Sequence, residues 1–176
     1  MNPLTPKQKL GAWLGSATLV ATAVGFTASQ EGTVLHVYKD PVQILTACTG
    51  ETHYVAIPGD IKPGATFTKE QCSDALMRSL AEHAEPVIRC TAPAALTSGQ
   101  KLAFLDLSYN GGGALFCKSS IARKATAGDV KGSCDAILLY RYAGGRDCSR
   151  PENKHICGGL WDRRQKQHAI CMGGPT

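Results

Sequence analysis

The chain has 176 residues, of which 43% are hydrophobic and 19% charged, and its net charge is +5. That length suits one ordinary domain with an appendage. The composition excludes a disordered chain, and a single long uncharged stretch excludes a polytopic membrane protein.

In chain order, the first element is the uncharged run from Leu10 to Gln30, preceded by Lys7 and Lys9. As one helix it would reach roughly 30 Å, the thickness of a bilayer core. Lysines ahead of it favour a cytoplasmic N-terminus with the rest of the chain delivered outward. The run is rich in Gly, Ala, Ser and Thr, so it is only marginally stable in lipid. Three readings follow: a cleaved signal with a small-residue site near Ala21–Ala23, a permanent anchor, and an anchor able to leave the bilayer. The third is preferred.

Beyond residue 30, Val34–Val37 and Ile44–Cys48 read as short strands, with Lys39, Asp40 and Pro41 as turn material between them. Thr68 reads as an N-cap with Gln71 as its capping-box partner. Cys72, Leu76, Leu80 and Ala84 then share one helix face, and Pro86 is expected to end or kink that helix. A second helix starts near Ser98, carries Leu102, Phe104, Leu105 and Tyr109, and stops at Gly111-Gly112-Gly113. Ser119 or Ser120 caps a short helix ending before Gly128. Asp129 opens another, running to about Tyr142, and a last helix covers roughly Leu160–Cys171. Short strands followed mostly by helices predict an α+β fold with a small antiparallel sheet near the N-terminus. No Walker or Rossmann glycine pattern is present.

All eight cysteines lie after residue 30 and none forms a CxxC pair, which fits disulfides in an oxidising compartment better than zinc or dithiol chemistry. Connectivity stays open at this level. The preferred local set is Cys48–Cys72, Cys90–Cys117, Cys134–Cys171 and Cys148–Cys157. The five histidines are scattered, so no metal is expected. Residues 121–176 carry ten basic and five acidic side chains; this suits either an anionic polymer or a mixed solvated surface.

Chemistry is suggested by Glu31, Asp40 and Thr46 around the first hairpin. Glycoside hydrolysis needs one carboxyl group to protonate the leaving oxygen and a second, ionised one to activate water or stabilise positive charge. A glutamate at the end of an apolar segment could pack against hydrophobic walls, which raises its pKa. An aspartate in a turn stays solvated, and a strand hydroxyl can hold a water. Taken alone, this spacing also describes ordinary surface charges.

The run Glu31-Gly32, Tyr38-Lys39-Asp40 and Thr46, with Cys48 and Gly50 after it, resembles the catalytic segment of phage-type lysozymes, glycoside hydrolase family 24. Tyr109-Asn110, Phe116 to Ser120, Ala127-Gly128-Asp129, Tyr142 to Gly145 and Gly159-Leu160 with Arg163-Arg164 are similar to later motifs of that family, in order. The sequence departs from it at Thr49, where His is usual, at Gly111, and at Gln167 or His168, where an acid is usual. The resemblance implies a lysozyme-like fold in residues 31–176, with a small sheet followed by a mainly helical lobe. It implies cleavage between N-acetylmuramic acid and N-acetylglucosamine, with Glu31 as general acid, Asp40 as second carboxylate and Thr46 positioning water. Arg163 or Arg164 would support Glu31. The substrate would be peptidoglycan, with no cofactor, no nucleic-acid partner and a monomeric chain.

Residues 1–30 resemble the signal-arrest-release segment of phage endolysins. This implies export to the periplasm, transient inner-membrane association through residues 10–30, inactivity while tethered and host lysis on release. A non-catalytic wall-binding protein and a chitinase-like hydrolase on the same fold are the alternatives.

Overall fold

The structure is a computed structural model and describes residues 3–40, 42–53 and 55–175; Pro41 of the expected turn lies outside the described residues. The chain divides into two compact units, residues 1–82 and 83–176. The expected boundary at residue 30 falls inside the first.

The first unit opens with helices α1 (Pro6–Leu14) and α2 (Ala17–Glu31). Thr5 and Gln8 form a capping box on α1. The apolar run is therefore not one straight helix. Gly15 ends α1 in the left-handed conformation, φ 101°, and the Ser16 hydroxyl accepts from Leu19 N to start α2. The two helices meet at a bend of 104°. Glycine reaches that φ without the Cβ penalty, so the break sits where its cost is least. Leu10, Leu14, Val20 and Ala23 are buried. Among the described residues no single helix is long and apolar enough to cross a membrane, although the bent pair together has the length and apolar composition to do so.

Strands β1 (Val34–Lys39) and β2 (Leu45–Cys48) pair antiparallel, with Tyr38 opposite Thr46 and an irregularity between Val34 and Tyr38. Residues 65–67 run along the other side of β1, through Val37 N to Ala65 O and Phe67 N to Leu35 O. Ala47, Cys48, Val55, Cys72 and Ala75 form the core under this sheet. The Cys48–Cys72 disulfide fastens β2 to helix α3 (Lys69–Thr91). Thr68 and Gln71 form the capping box that starts α3.

Pro86 does not end α3, which continues to Thr91. Proline removes one helical hydrogen bond and crowds the preceding turn, but here tertiary contacts hold the helix together. The Ser108 hydroxyl donates to the His83 carbonyl, Gly113 leaves room for the Pro86 ring, and Cys90–Cys117 locks the following turn.

The second unit is built on α4 (Ser98–Gly111), in which every residue from Leu102 to Ser108 is buried. A helix buried on all sides is a core helix. Its N-terminus carries a Thr97–Gln100 capping box. Around it lie α5 (Gly113–Lys118), α6 (Ser120–Thr126), α7 (Val130–Ala136) and α8 (Lys154–Cys171). Ser119 caps α6 and Asp129 caps α7. Helix α7 stops well short of Tyr142: the chain tightens into a turn at Ile137–Leu139, then forms a hairpin of β3 (Tyr142–Ala143) and β4 (Arg146–Asp147). Gly144 and Gly145, both at positive φ, supply its turn. Helix α8 begins earlier than Leu160, and Cys157 interrupts its geometry where it bonds to Cys148. Cys134–Cys171 joins α7 to the end of α8.

The close approach of α4 and α8 rests on Gly99, where a Cβ would overlap the Ile170 carbonyl. Gly99→Ala should cost about 1–3 kcal/mol. Gly159→Ala, at a helical position with open space around it, should stabilise by up to about 1 kcal/mol. Urea unfolding midpoints of the two variants check the contrast.

Candidate active site

The hairpin between β1 and β2 is organised by one carboxylate. Asp40 Oδ1 accepts from the amides of Val42 and Ile44, each at 2.9 Å. The Asp40 amide donates to the Ile44 carbonyl at 2.9 Å, and Gln43 N donates to the Asp40 carbonyl at 2.9 Å. Aspartate suits this position because its short side chain reaches the amides two residues on. The Ile44 carbonyl also accepts from the Thr46 hydroxyl at 3.1 Å. Ile44 therefore ties Asp40 to Thr46 through its backbone alone. Thr46 is buried, 4% exposed, whereas Asp40 is half-buried.

This geometry has chemical consequences. With Oδ1 committed to two amides, Oδ2 makes no hydrogen bond among the described residues. The Thr46 proton points at Ile44, which leaves the hydroxyl oxygen as an acceptor. A water donating to Thr46 would have its orientation fixed.

Glu31 is the last residue of α2 and precedes Gly32, whose φ of 75° turns the chain toward β1. It is exposed rather than enclosed by apolar walls. It belongs to the same unit as Asp40 and Thr46. The structure thus joins Asp40 and Thr46 through Ile44, and places Glu31 at the opposite end of β1.

Arg163 and Arg164 are both buried in the second unit. Arg163 donates to both carboxylate oxygens of Asp106, at 2.9 and 2.8 Å. Arg164 donates to the Tyr140 carbonyl, Gln167 Oε1 and Asn110 Oδ1. Burial, then the neighbouring Arg163 charge, lowers the Arg164 pKa to about 10, and Asp106 opposes that shift. Gln167, one of the two residues in the region where an acid was expected, is entirely buried and donates to Asp106 at 2.6 Å. His168 instead reaches Asp135 at 2.9 Å.

Sequence reasoning missed Glu51. Its backbone pairs with Ala47 in both directions, at 2.9 Å each, so it closes the end of β2 just beyond Thr46. Its Oε1 is buried with no hydrogen-bond partner among the described residues. Burial, and then the Glu82 charge, push its pKa up to about 7, while Arg78 pulls it down. Nothing local marks this residue, because its environment comes from α3.

A carboxyl with a raised folded pKa stabilises the fold below its unfolded pKa and loses that contribution as pH rises through the folded value. Between about pH 4.5 and 7, Glu51 ionisation should remove on the order of 3 kcal/mol. Glu51→Gln should therefore gain stability relative to the parent between pH 5 and 8. Denaturant midpoints measured across that range check it; a difference independent of pH would contradict the assignment.

Comparison with known proteins places the chain among its relatives. Residues 28–167 match the family described as phage lysozyme. An SAR-endolysin of Bacteriophage PS119 is 32% identical over 181 aligned positions, covering 99% of this chain and 98% of that one. An SAR-endolysin of Enterobacteria phage P21 is 32% identical, covering 93% and 90%. Among solved structures, a P22 lysozyme mutant superposes with a TM-score of 0.73 at 24% identity, covering 86% and 96%. The active form of the P1 phage endolysin Lyz superposes at 0.65 and 16% identity, covering 97% and 94%. These last two likenesses concern the fold.

Proposed function

The chain belongs to the phage lysozyme family, and from that premise we propose that it hydrolyses the β-1,4 bond between N-acetylmuramic acid and N-acetylglucosamine in peptidoglycan. The observation that carries this reading is the Asp40–Ile44–Thr46 arrangement within the matched region. Glu31, as general acid, gives its proton to the leaving glycosidic oxygen. Asp40, with Oδ1 immobilised, offers Oδ2 to the attacking water or to the positive charge that develops at the anomeric carbon. Thr46 accepts a hydrogen bond from that water and fixes its direction. Arg163 or Arg164 supports Glu31 by the family resemblance. Full-length relatives named as endolysins favour an enzyme over a non-catalytic wall-binding protein.

The N-terminal segment, residues 1–30, is read as the controlling element. Exported with residues 10–30 in the inner membrane, it holds Glu31 at the lipid boundary and keeps the enzyme inactive in the periplasm. On release, the same residues adopt the bent pair, with Gly15 in its left-handed turn. Release then permits wall degradation and host lysis. The names of the relatives support this reading.

Glu31→Gln should lower turnover of purified peptidoglycan by about 10²–10⁴-fold, the usual worth of a general acid, with circular dichroism unchanged. Activity within tenfold of the parent would remove Glu31 from that role. Leucine at Gly15, Ser16, Thr18 and Ala21 should leave the protein in the membrane fraction and suppress lysis of expressing cells. Undiminished lysis by a membrane-retained variant would contradict control by release.

A further inference from the structure

The loop that presents Asp40 is unusual in what it exposes. Tips of hairpin loops are ordinarily Gly, Asn, Asp or Ser. Here Val42 is 71% and Ile44 50% exposed. Neither is loosely attached, because both amides are bonded to Asp40 Oδ1. Gln43 between them is held at φ 67° with its amide on the Asp40 carbonyl. Two exposed aliphatic side chains are therefore carried on the backbone that fixes the proposed second carboxylate. A ligand that reaches Asp40 Oδ2 arrives beside them.

Resting on the muramidase reading above, we infer that Val42 and Ile44 form an apolar contact for the acetamido methyl group of an amino sugar bound at Asp40. An amino-sugar polymer is polar over most of its surface, and its acetamido methyls are the apolar groups that recur along the chain. Burying such a methyl against two aliphatic side chains gives binding that does not depend on charge. It also orients the sugar ring relative to the carboxylate, since both side chains stand on residues whose amides are bonded to Asp40 Oδ1. Val42 and Ile44 are positioning and specificity residues in this scheme, and they take no part in proton transfer.

The test uses Val42→Thr, Ile44→Thr and the double variant. Threonine keeps the β-branched shape and the backbone amide while replacing apolar surface. Steady-state rates are measured on intact peptidoglycan and on chemically de-N-acetylated peptidoglycan. On the intact polymer the double variant should lose roughly tenfold in kcat/KM, carried by KM. On the de-N-acetylated polymer the ratio of parent to variant should fall to within about twofold, the signature of coupling between these side chains and the acetyl group. An equal loss on both polymers, or none on either, overturns the inference. Val42→Ile, which enlarges the apolar surface, should not raise KM; a tenfold rise would also overturn it. Flotation with phosphatidylethanolamine–phosphatidylglycerol vesicles covers the competing partner. Loss of vesicle binding in the double variant with KM unchanged would assign the loop to lipid. Absence of any activity in the parent protein would instead remove the muramidase reading, so the two failures are distinct.

Discussion

One carboxylate oxygen sets the conformation on which the proposed chemistry depends. Asp40 Oδ1 gathers the Val42 and Ile44 amides, and the Ile44 carbonyl in turn gathers the Asp40 amide and the Thr46 hydroxyl. These bonds are short-range, so the hairpin tip is specified by its own few residues. They also divide the labour of the aspartate: one oxygen is structural, and the other makes no hydrogen bond among the described residues. Loss of the carboxylate would therefore disturb the loop geometry as well as remove a charge, and kinetic effects at Asp40 combine both.

The rest of the first unit supports that hairpin. The Cys48–Cys72 bridge joins β2 to α3 within a core of Ala47, Val55 and Ala75. Glu51 closes the end of β2 through its backbone while its side chain lies buried near Arg78 and Glu82. The second unit rests on a different device. Asp106, in the middle of a buried helix, takes a bidentate pair from Arg163 and a further bond from Gln167. A buried ion pair of this kind gives little net stability, but breaking it by removing one partner is costly. Gln167 completes this network, since it donates to Asp106 and accepts from Arg164.

What was legible in the sequence follows from how local each interaction is. The caps at Thr68, Thr97, Ser119 and Asp129 depend on residues three positions away, and the corresponding helix starts are readable. The α+β class was legible for the same reason. The break at Gly15 was not, because a glycine in an apolar run reads the same in lipid as in water, and only burial of Leu10, Leu14 and Val20 decides for the bend. That Pro86 does not end its helix was not readable, because Gly113 and Ser108, distant in sequence, accommodate it. The hairpin at Tyr142–Asp147 was hidden by the brevity of its two strands. At the site, residue types and order were readable. The role of Ile44 was not, because it acts through its backbone, which no side-chain motif records.

The account makes its sharpest claim about which bond is cut. Purified peptidoglycan would be digested with the oxidised protein, reduced with borohydride, and its new sugar ends identified by mass spectrometry. The account predicts muramitol ends. Glucosaminitol ends, anhydromuramic ends or an undigested polymer would contradict it.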